Sequence, residues 1–589
     1  MNIFIKTKSY LKRYGALNLI RKVMEKASRG FDISEEFVCE NLTDEELLKQ
    51  RNYKFLYSPV ISIVMPVYNP DDRYFRQTLN SIKNQSYENW QLCIGDAGKN
   101  KKNKILEEVF GNDDRVKYLD IPVNYGISGN SNKALELATG EYIGLMDHDD
   151  ILTSDALFMI VSKLNEGYDI VYTDEDKTDE NLNRYFSVYR KPDFNLNLFL
   201  SNNYMCHFTV ISKKIISEAG NFRSEYDGAQ DYDFVLRCVE AVKDEEICHI
   251  PKILYHWRCH EDSTAENPES KLYAFEAGRR AVQAHYERTG IHAEVFKGEY
   301  LGLYRTKFIR DHDPLISIII PNKDHIDDLK RCMESIEQKS TYKNYEYIIV
   351  ENNSTDSATF EYYKKLEAEN PKVRMVYWDG VFNYSAINNY GASFAKGEYL
   401  LLLNNDTEII NPDCLEELLG YCMRKDVGAV GARLYYEDDT IQHAGVVIGF
   451  GGIAGHCFVQ QKRGTTGYCH RIICAQDYSA VTAACMMVKK SAFDAVGGLS
   501  EELAVAFNDI DFCMKLRKAE YLIVYNPYAE LYHYESKSRG LEDTPEKVAR
   551  FNKEIATFEK KWPEILENGD PYYNPNLTLK SQDFSLKRI

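Results

Sequence analysis

Short apolar runs that stop abruptly at polar residues recur along this chain. ISIVMPVYN (61–69), QLCIGDAG (91–98) and VKYLDI (116–121) each carry a few continuous apolar residues, then acids, glycine or asparagine. Runs of that length read as strands buried on both faces of a parallel sheet. Between them lie helical stretches, the first with Phe75, Leu79 and Ile82 on one side. Strands alternating with helices and joined by short turns predict a parallel, doubly wound α/β sheet.

The pattern then restarts. GEYIGLMDHDDIL (140–152) returns as GEYLLLLNNDTEI (397–409), and ISIVMPVYN returns as ISIIIPNKD (316–324) at an offset of 255. YIIVENNS (347–354) answers QLCIGDAG, which sets Glu351 against Asp96; NYSAINNYGA answers NYGISGNSN, which sets Asn388 against Asn132. FNDIDF answers AQDYDF, and LYHYES answers LYHWRC. Matched landmarks in one order predict one fold used twice. The expected division is a basic lead-in over 1–57, one α/β domain over 58–310 and a second over 311–589. The main difference is spacing: Asp149 to Asp231 is 82 residues, whereas Asp406 to Asp509 is 103. The extra length falls around 442–458 and 467–481, a Gly-rich, His-containing stretch expected to shape a pocket in the second copy only. Residues 541–589 are expected to form a helix near 545–561 and then an extended strap.

Composition narrows the class. A hydrophobic fraction of 44% predicts folded domains, and a net charge of −18 argues against nucleic acid as a partner of the body. Fourteen cysteines without a CxxC pair read as small buried hydrophobes in a reducing compartment. No secretory leader or run long enough to span a bilayer is evident, so a cytoplasmic body is expected. Residues 1–30 depart from the rest: eight Lys and Arg face only Glu25, interleaved with apolar residues. Such a helix can lie on an anionic membrane at the inner face of the cell, or dock on the protein's own acidic flank.

The polar strand ends suggest chemistry. In open α/β sheets ligands bind outside the carboxyl ends of the strands. There Asp147 and Asp149, and Asp406 in the second copy, can hold Mg²⁺ or Mn²⁺ against a diphosphate, while Asn404 replaces the first acid of the second copy. Pro66, Tyr68 and Pro321 would flank a base, and Asp96 could accept from a pyrimidine imide. Asp231 and Asp509 stand at the starts of amphipathic helices, where a carboxylate is favoured and could serve as a general base. His256 and His533 follow them by 25 and 24 residues and suit an extra metal ligand or a diphosphate donor. Arg258, Lys537 and Arg539 could meet phosphate or be solvated surface charge.

Together these motifs resemble glycosyltransferase family 2, which has the GT-A fold. The second half, from FNYSAINNYGA through LYHYESKSRG, is similar to rhamnosyltransferase-like members that assemble O-antigen or capsule. The resemblance covers about 60–588. It implies inverting transfer from a nucleotide sugar such as a UDP- or dTDP-sugar to a growing, lipid-linked or free glycan. Carried over by position, Asp231 and Asp509 become the bases, and Asp147, Asp149, Asp406, His256 and His533 the metal or diphosphate ligands. Asp96, Glu351, Asn132 and Asn388 join the donor site. Gln230 and Asn508 stand where the family usually has a glutamate. Three other arrangements stay open: one active domain beside a glycan-binding relative, a non-enzymatic scaffold, and a nucleotidyltransferase. The last is disfavoured by the lack of a Gly-rich phosphate loop after the first strand.

Overall fold

A computed structural model describes residues 42–260, 272–534 and 544–587. The basic stretch 1–30, Lys537 and Arg539 lie outside them. At its start, Thr43 and Glu46 form a capping box that opens helix Asp44–Asn52. The chain forms two compact units. One comprises Asp32–Phe194 and Phe199–Thr306, the other Asn195–Leu198 and Lys307–Ile589.

The first unit is built on β1 (Ile61–Val67), β2 (Trp90–Asp96), β3 (Val116–Asp120), β4 (Tyr142–Leu145), β5 (Ile151–Leu152), β6 (Ile170–Thr178), β7 (Tyr185–Tyr189), β8 (Thr209–Ser212) and β9 (Ile247–Arg258). A two-stranded sheet follows, β10 (Ala293–Lys297) with β11 (Tyr304–Phe308). The second unit continues with β12 (Ile316–Asn322), β13 (Tyr345–Glu351), β14 (Val373–Tyr377), β15 (Tyr399–Leu403) and β16 (Thr407–Ile409). Then come β17 (Val427–Tyr435), β18 (Ile441–His443), β19 (Val446–Ile448), β20 (Ala454–His456), β21 (Gln476–Asp477), β22 (Cys485–Lys489) and β23 (Leu522–His533).

The strand orders superimpose element for element: β3-β2-β1-β4-β8-β6-β9-β5 and β14-β13-β12-β15-β22-β17-β23-β16. In both, the first four strands run parallel, as the apolar runs predict. The sheets are mixed beyond them, because β8 and β22 enter antiparallel to both neighbours. Alternation within one strand explains why the runs are continuously apolar. Ile316, Ile318 and Ile320 feed one core of the second unit and Ile319 the other; Leu401 and Leu403 part likewise from Leu400 and Leu402.

The repeated glycine before each motif strand has a steric cause. A Cβ on Gly140 would lie 2.4 Å from the Val60 carbonyl, and one on Gly397 2.5 Å from the Leu315 carbonyl. Instead their amides donate to Ser62 Oγ at 2.9 Å and Ser317 Oγ at 2.8 Å. These contacts draw β4 and β15 tight against β1 and β12 and fix where the acidic motifs emerge.

Candidate functional site

In the first unit Asp147 leaves the end of β4 with its side chain 48% exposed. Asp149 turns toward His260, whose Nε2 lies 2.8 Å from Oδ2. Burial opposes ionisation of Asp149, but the His260 hydrogen bond and the charges of His148 and His260 outweigh it and hold the carboxyl below its ordinary range. Asp150 points into the core. It accepts from Tyr255 Oη and from the Arg258 amide at 2.8 Å, and burial, then the charges of Asp149 and Asp147, push its pKa well up.

His256 is not a partner of this pair. Its Nδ1 lies 2.6 Å from Asp176 Oδ1, and its ring packs on Tyr185. The imidazole on Asp149 comes from four residues further on, where β9 has ended. Arg258 is neither a surface charge nor an outward phosphate group: it is fully buried and donates to the Asp149 and Glu180 carbonyls at 2.6 and 2.7 Å.

Asp231 occupies the second position of helix Gln230–Val239, half-buried, with Asn203 Nδ2 at 3.2 Å. Burial raises its pKa above the ordinary carboxylate value, and the nearby His207 charge pulls the other way. His207, which sequence reasoning missed, stacks on Tyr255 at 4.9 Å and reaches within 3.9 Å of Asp147. Its carbonyl and that of Cys206 are held by the wholly buried Lys191 ammonium at 2.8 Å each.

The second unit gathers its counterparts more tightly. His533 Nε2 lies 3.1 Å from Asn404 Nδ2 and 3.2 Å from Asp406 Oδ1, while Nδ1 faces Gln442 Oε1 at 2.6 Å. Nδ1 is thus taken up by Gln442, and Nε2 is the ring nitrogen that faces the motif. Asp509 is again the second residue of its helix, Asn508–Lys518, and its Oδ2 accepts from the Ala483 amide at 3.2 Å. Asn404, His533 and Asp509 line one cavity of 410 Å³.

Several donor-site expectations are corrected. Asp96 is fully buried, and its carboxylate accepts from Gly98 N, Lys102 N and Tyr118 Oη at 2.8–2.9 Å, so it organises the loop after β2. Glu351 does the same with Ser354 and Tyr363. Asn132 clamps the Phe222 backbone, amide to carbonyl and carbonyl to amide, at 2.9 Å each. Its structural counterpart is Asn389, which clamps Leu499 with two 2.8 Å bonds, and not Asn388, which is buried and donates to Tyr384 O. Both clamps hold the segment that leads into the helix carrying Asp231 or Asp509. Tyr68 is 47% exposed beyond β1; Pro66 and Pro321 are half-buried within β1 and β12, opposite Gly95 and Val350.

For Mg²⁺ or Mn²⁺ the donor chemistry fits in part. Asp147 and Asp149 supply hard oxygens, and the second motif offers the Asp406 carboxylate, the Asn404 amide oxygen and His533. Among the described residues no three His, Cys, Asp or Glu side chains converge into a ready cage. That suits a metal which takes its remaining ligands from phosphate and water.

Two copies of one α/β sheet, each with a polar motif outside its strand ends and a carboxylate opening a helix beside it, define a tandem GT-A-type protein. The chain belongs to glycosyl transferase family 2, whose model matches residues 62–220 and 317–494. It is 45% identical over 534 residues to the uncharacterized protein y4gI of Sinorhizobium fredii, covering 90% of this chain and 58% of that one. To the O-antigen biosynthesis protein RfbC of Myxococcus xanthus it is 33% identical over 536 residues, covering 90% and 41%. The chain thus spans roughly half the length of these two relatives. Among solved structures, GalNAc-T7 with UDP, GalNAc and Mn²⁺ aligns at a TM-score of 0.37 and 12% identity, over 45% of this chain and 51% of that one.

Proposed function

We propose that both units are inverting glycosyltransferases that add sugars from nucleotide donors to a bacterial surface polysaccharide, an assignment in line with the name of RfbC. The observation that supports it is recurrence. A helix-borne carboxylate and a polar motif stand at the same places of two matching sheets, although the sequences between them have diverged.

In each site the acceptor hydroxyl gives its proton to Asp231 or Asp509 while its oxygen attacks the anomeric carbon. The bond to the nucleoside diphosphate breaks with inversion, and the bonding pair leaves on the diphosphate. Asp147 with Asp149, and Asp406 with Asn404 and His533, would hold Mg²⁺ or Mn²⁺, which when bound neutralises charge on the leaving group. Burial of Asp231 keeps its proton affinity high, which suits a base. Residues 1–30 would bring the protein to a lipid-linked acceptor; none of the described helices is long and apolar enough to cross a membrane. Loss of membrane association on deleting 1–30 is the expected result, and unchanged association would remove that element.

The test is nucleotide release from a panel led by UDP-sugars and dTDP-rhamnose, in wild type, Asp231→Asn and Asp509→Asn. Two donors, each lost with a different variant, is the expected outcome. One donor lost with one variant would leave a single catalytic unit beside a binding relative, and release from no donor, with or without glycan, would end the transferase assignment.

A further inference from the structure

The cavity of the second unit has a composition that restricts what it can hold. At 410 Å³ it lies at the small end of ligand-sized sites, roughly 300–1,000 Å³. Apart from the motif and Asp509, its polar wall includes Tyr384, Tyr436, Gln442, His456, Thr482, Asn508 and Gln582. Amide, hydroxyl and imidazole groups can each donate or accept, as sugar hydroxyls require. Among the described residues no Lys or Arg lines it, and Asp509 is its only carboxylate.

Part of this wall is particular to the second unit: His456 comes from the inserted strand β20 and Gln582 from the tail, whereas Gln442 stands on β18, which pairs with β17 as β7 pairs with β6. The wall is built. His456 Nδ1 lies 3.0 Å from the Gln442 carbonyl, which leaves Nε2 for a ligand. Gln582 is pinned through its carbonyl to the Phe458 amide at 2.7 Å, two residues from Phe584, which is buried and stacked on Phe458 at 4.7 Å. Behind His456, at 4.8 Å between rings, His443 is fully buried with neither ring nitrogen partnered among the described residues; burial holds its pKa well below the ordinary imidazole value. The opening itself depends on small residues. The registers Tyr142↔Ser212 and Tyr399↔Lys489 make Ala483 and Ala484 the equivalents of Cys206 and His207.

We propose that this cavity is a subsite for an uncharged sugar ring at the end of the acceptor glycan, with His456 and Gln582 as recognition residues peculiar to the second unit. It rests on the reading of that unit as a transferase. A uronate or phosphate seated against His456 and Gln582, away from the metal motif, would meet Asp509 with no Lys or Arg in the lining to offset it. A free amine would pair with Asp509 and compete for the carboxylate that must take the proton. A neutral polyhydroxyl ring satisfies every lining group and leaves Asp509 to one hydroxyl.

Binding is measured first, on the full chain without nucleotide, by saturation-transfer NMR with methyl glucoside, methyl rhamnoside and methyl glucuronide. A neutral glycoside is expected to bind, the glucuronide not, and His456→Ala and Gln582→Ala are each expected to weaken binding roughly fivefold to tenfold. In turnover, the same variants should raise the acceptor KM of the Asp509-dependent reaction by a similar factor, with donor hydrolysis unchanged. Glucuronide binding equal to the neutral sugars, or binding indifferent to both variants, overturns the proposal. Variants that weaken the donor and not the acceptor assign the cavity to the donor sugar and overturn it as well. If no donor turns over in wild type, the transferase reading fails, while the NMR result still decides whether the cavity takes a neutral sugar.

Discussion

The two units share one strand order and part company at the floor of the site. In the first, His207 is stacked on Tyr255 and reaches within 3.9 Å of Asp147; in the second its place belongs to Ala484, which lines the 410 Å³ cavity. The motifs diverge in the same sense. Asp147 is an exposed carboxylate, whereas Asn404 is neutral and bonded to His533. The sheet therefore decides where a ligand lies, and a handful of residues at strand ends decide its charge and size. The first site carries more titratable charge around its ligand; the second relies on neutral hydrogen bonds.

The hardest blow to this comparison would come from the bases. Asp231→Asn and Asp509→Asn should each lower kcat of one reaction by about 10²–10⁴-fold and leave the other intact, with an unchanged circular dichroism spectrum. Parallel loss of both reactions in either variant would show that the sites are not independent.

Next come the motifs. Asp147→Asn should weaken Mn²⁺ binding in the presence of nucleoside diphosphate by about 10–100-fold, and Asn404→Asp should strengthen it at the second site; calorimetric titration reads both. Equal metal affinities in all three proteins would erase the distinction drawn between carboxylate-rich and neutral motifs.

The amide clamps offer a smaller effect. Asn132→Ala and Asn389→Ala should each cost about 1–3 kcal/mol in denaturant unfolding, since buried backbone groups lose their partners. Each should also lower kcat of its own unit. Asn388→Ala should destabilise without that loss of kcat, because its side chain bonds within its own helix.

The smallest effect is in pH. On the proposed mechanism Asp231 must be ionised to act, and burial raises its pKa, so activity at the first site should fall on acidification while the pH is still above the ordinary carboxylate range. The His207 charge lowers that pKa, so His207→Gln should move the acid limb to higher pH. The stability contribution runs oppositely. The folded state binds this proton more tightly than the unfolded one, so the contribution is fully present below the unfolded value of about 3.9 and is lost as pH rises through the folded value.

The duplication was legible in the sequence because buried parallel strands are continuously apolar and because the motif strand repeats almost letter for letter. The antiparallel entry of β8 and β22 was not, since a four-residue apolar run carries no direction. The place of Asp231 and Asp509 at helix starts was legible as well. The histidine on Asp149 was not: His256 and His533 share the same local letters, but β5 pairs Ile151 with His256 whereas β16 pairs Thr407 with His533. One residue of register lets His533 reach its motif, and in the first unit His260 takes that role. The second histidine of YHWRCH was the available signal. The sequence sets Asn388 against Asn132, and only the helix turn tells that its neighbour in INNYGA, Asn389, is the amide that reaches the Leu499 backbone. Asp96 and Glu351 end strands as ligand groups do, and the hydrogen bonds they accept from Tyr118 and Tyr363 come from positions distant in sequence, which no local pattern announces.

Gly140 and Gly397 bear on how such a pair of copies can drift apart. Neither touches a ligand, yet any side chain there collides with backbone and moves the whole motif strand. Exchanging Asp for Asn at the tip of that strand moves nothing. Inheritance is thus strict about position and lax about charge. A gene duplicate of this kind can try new chemistry one residue at a time without leaving its fold, and a lineage that lost either glycine would lose that freedom first.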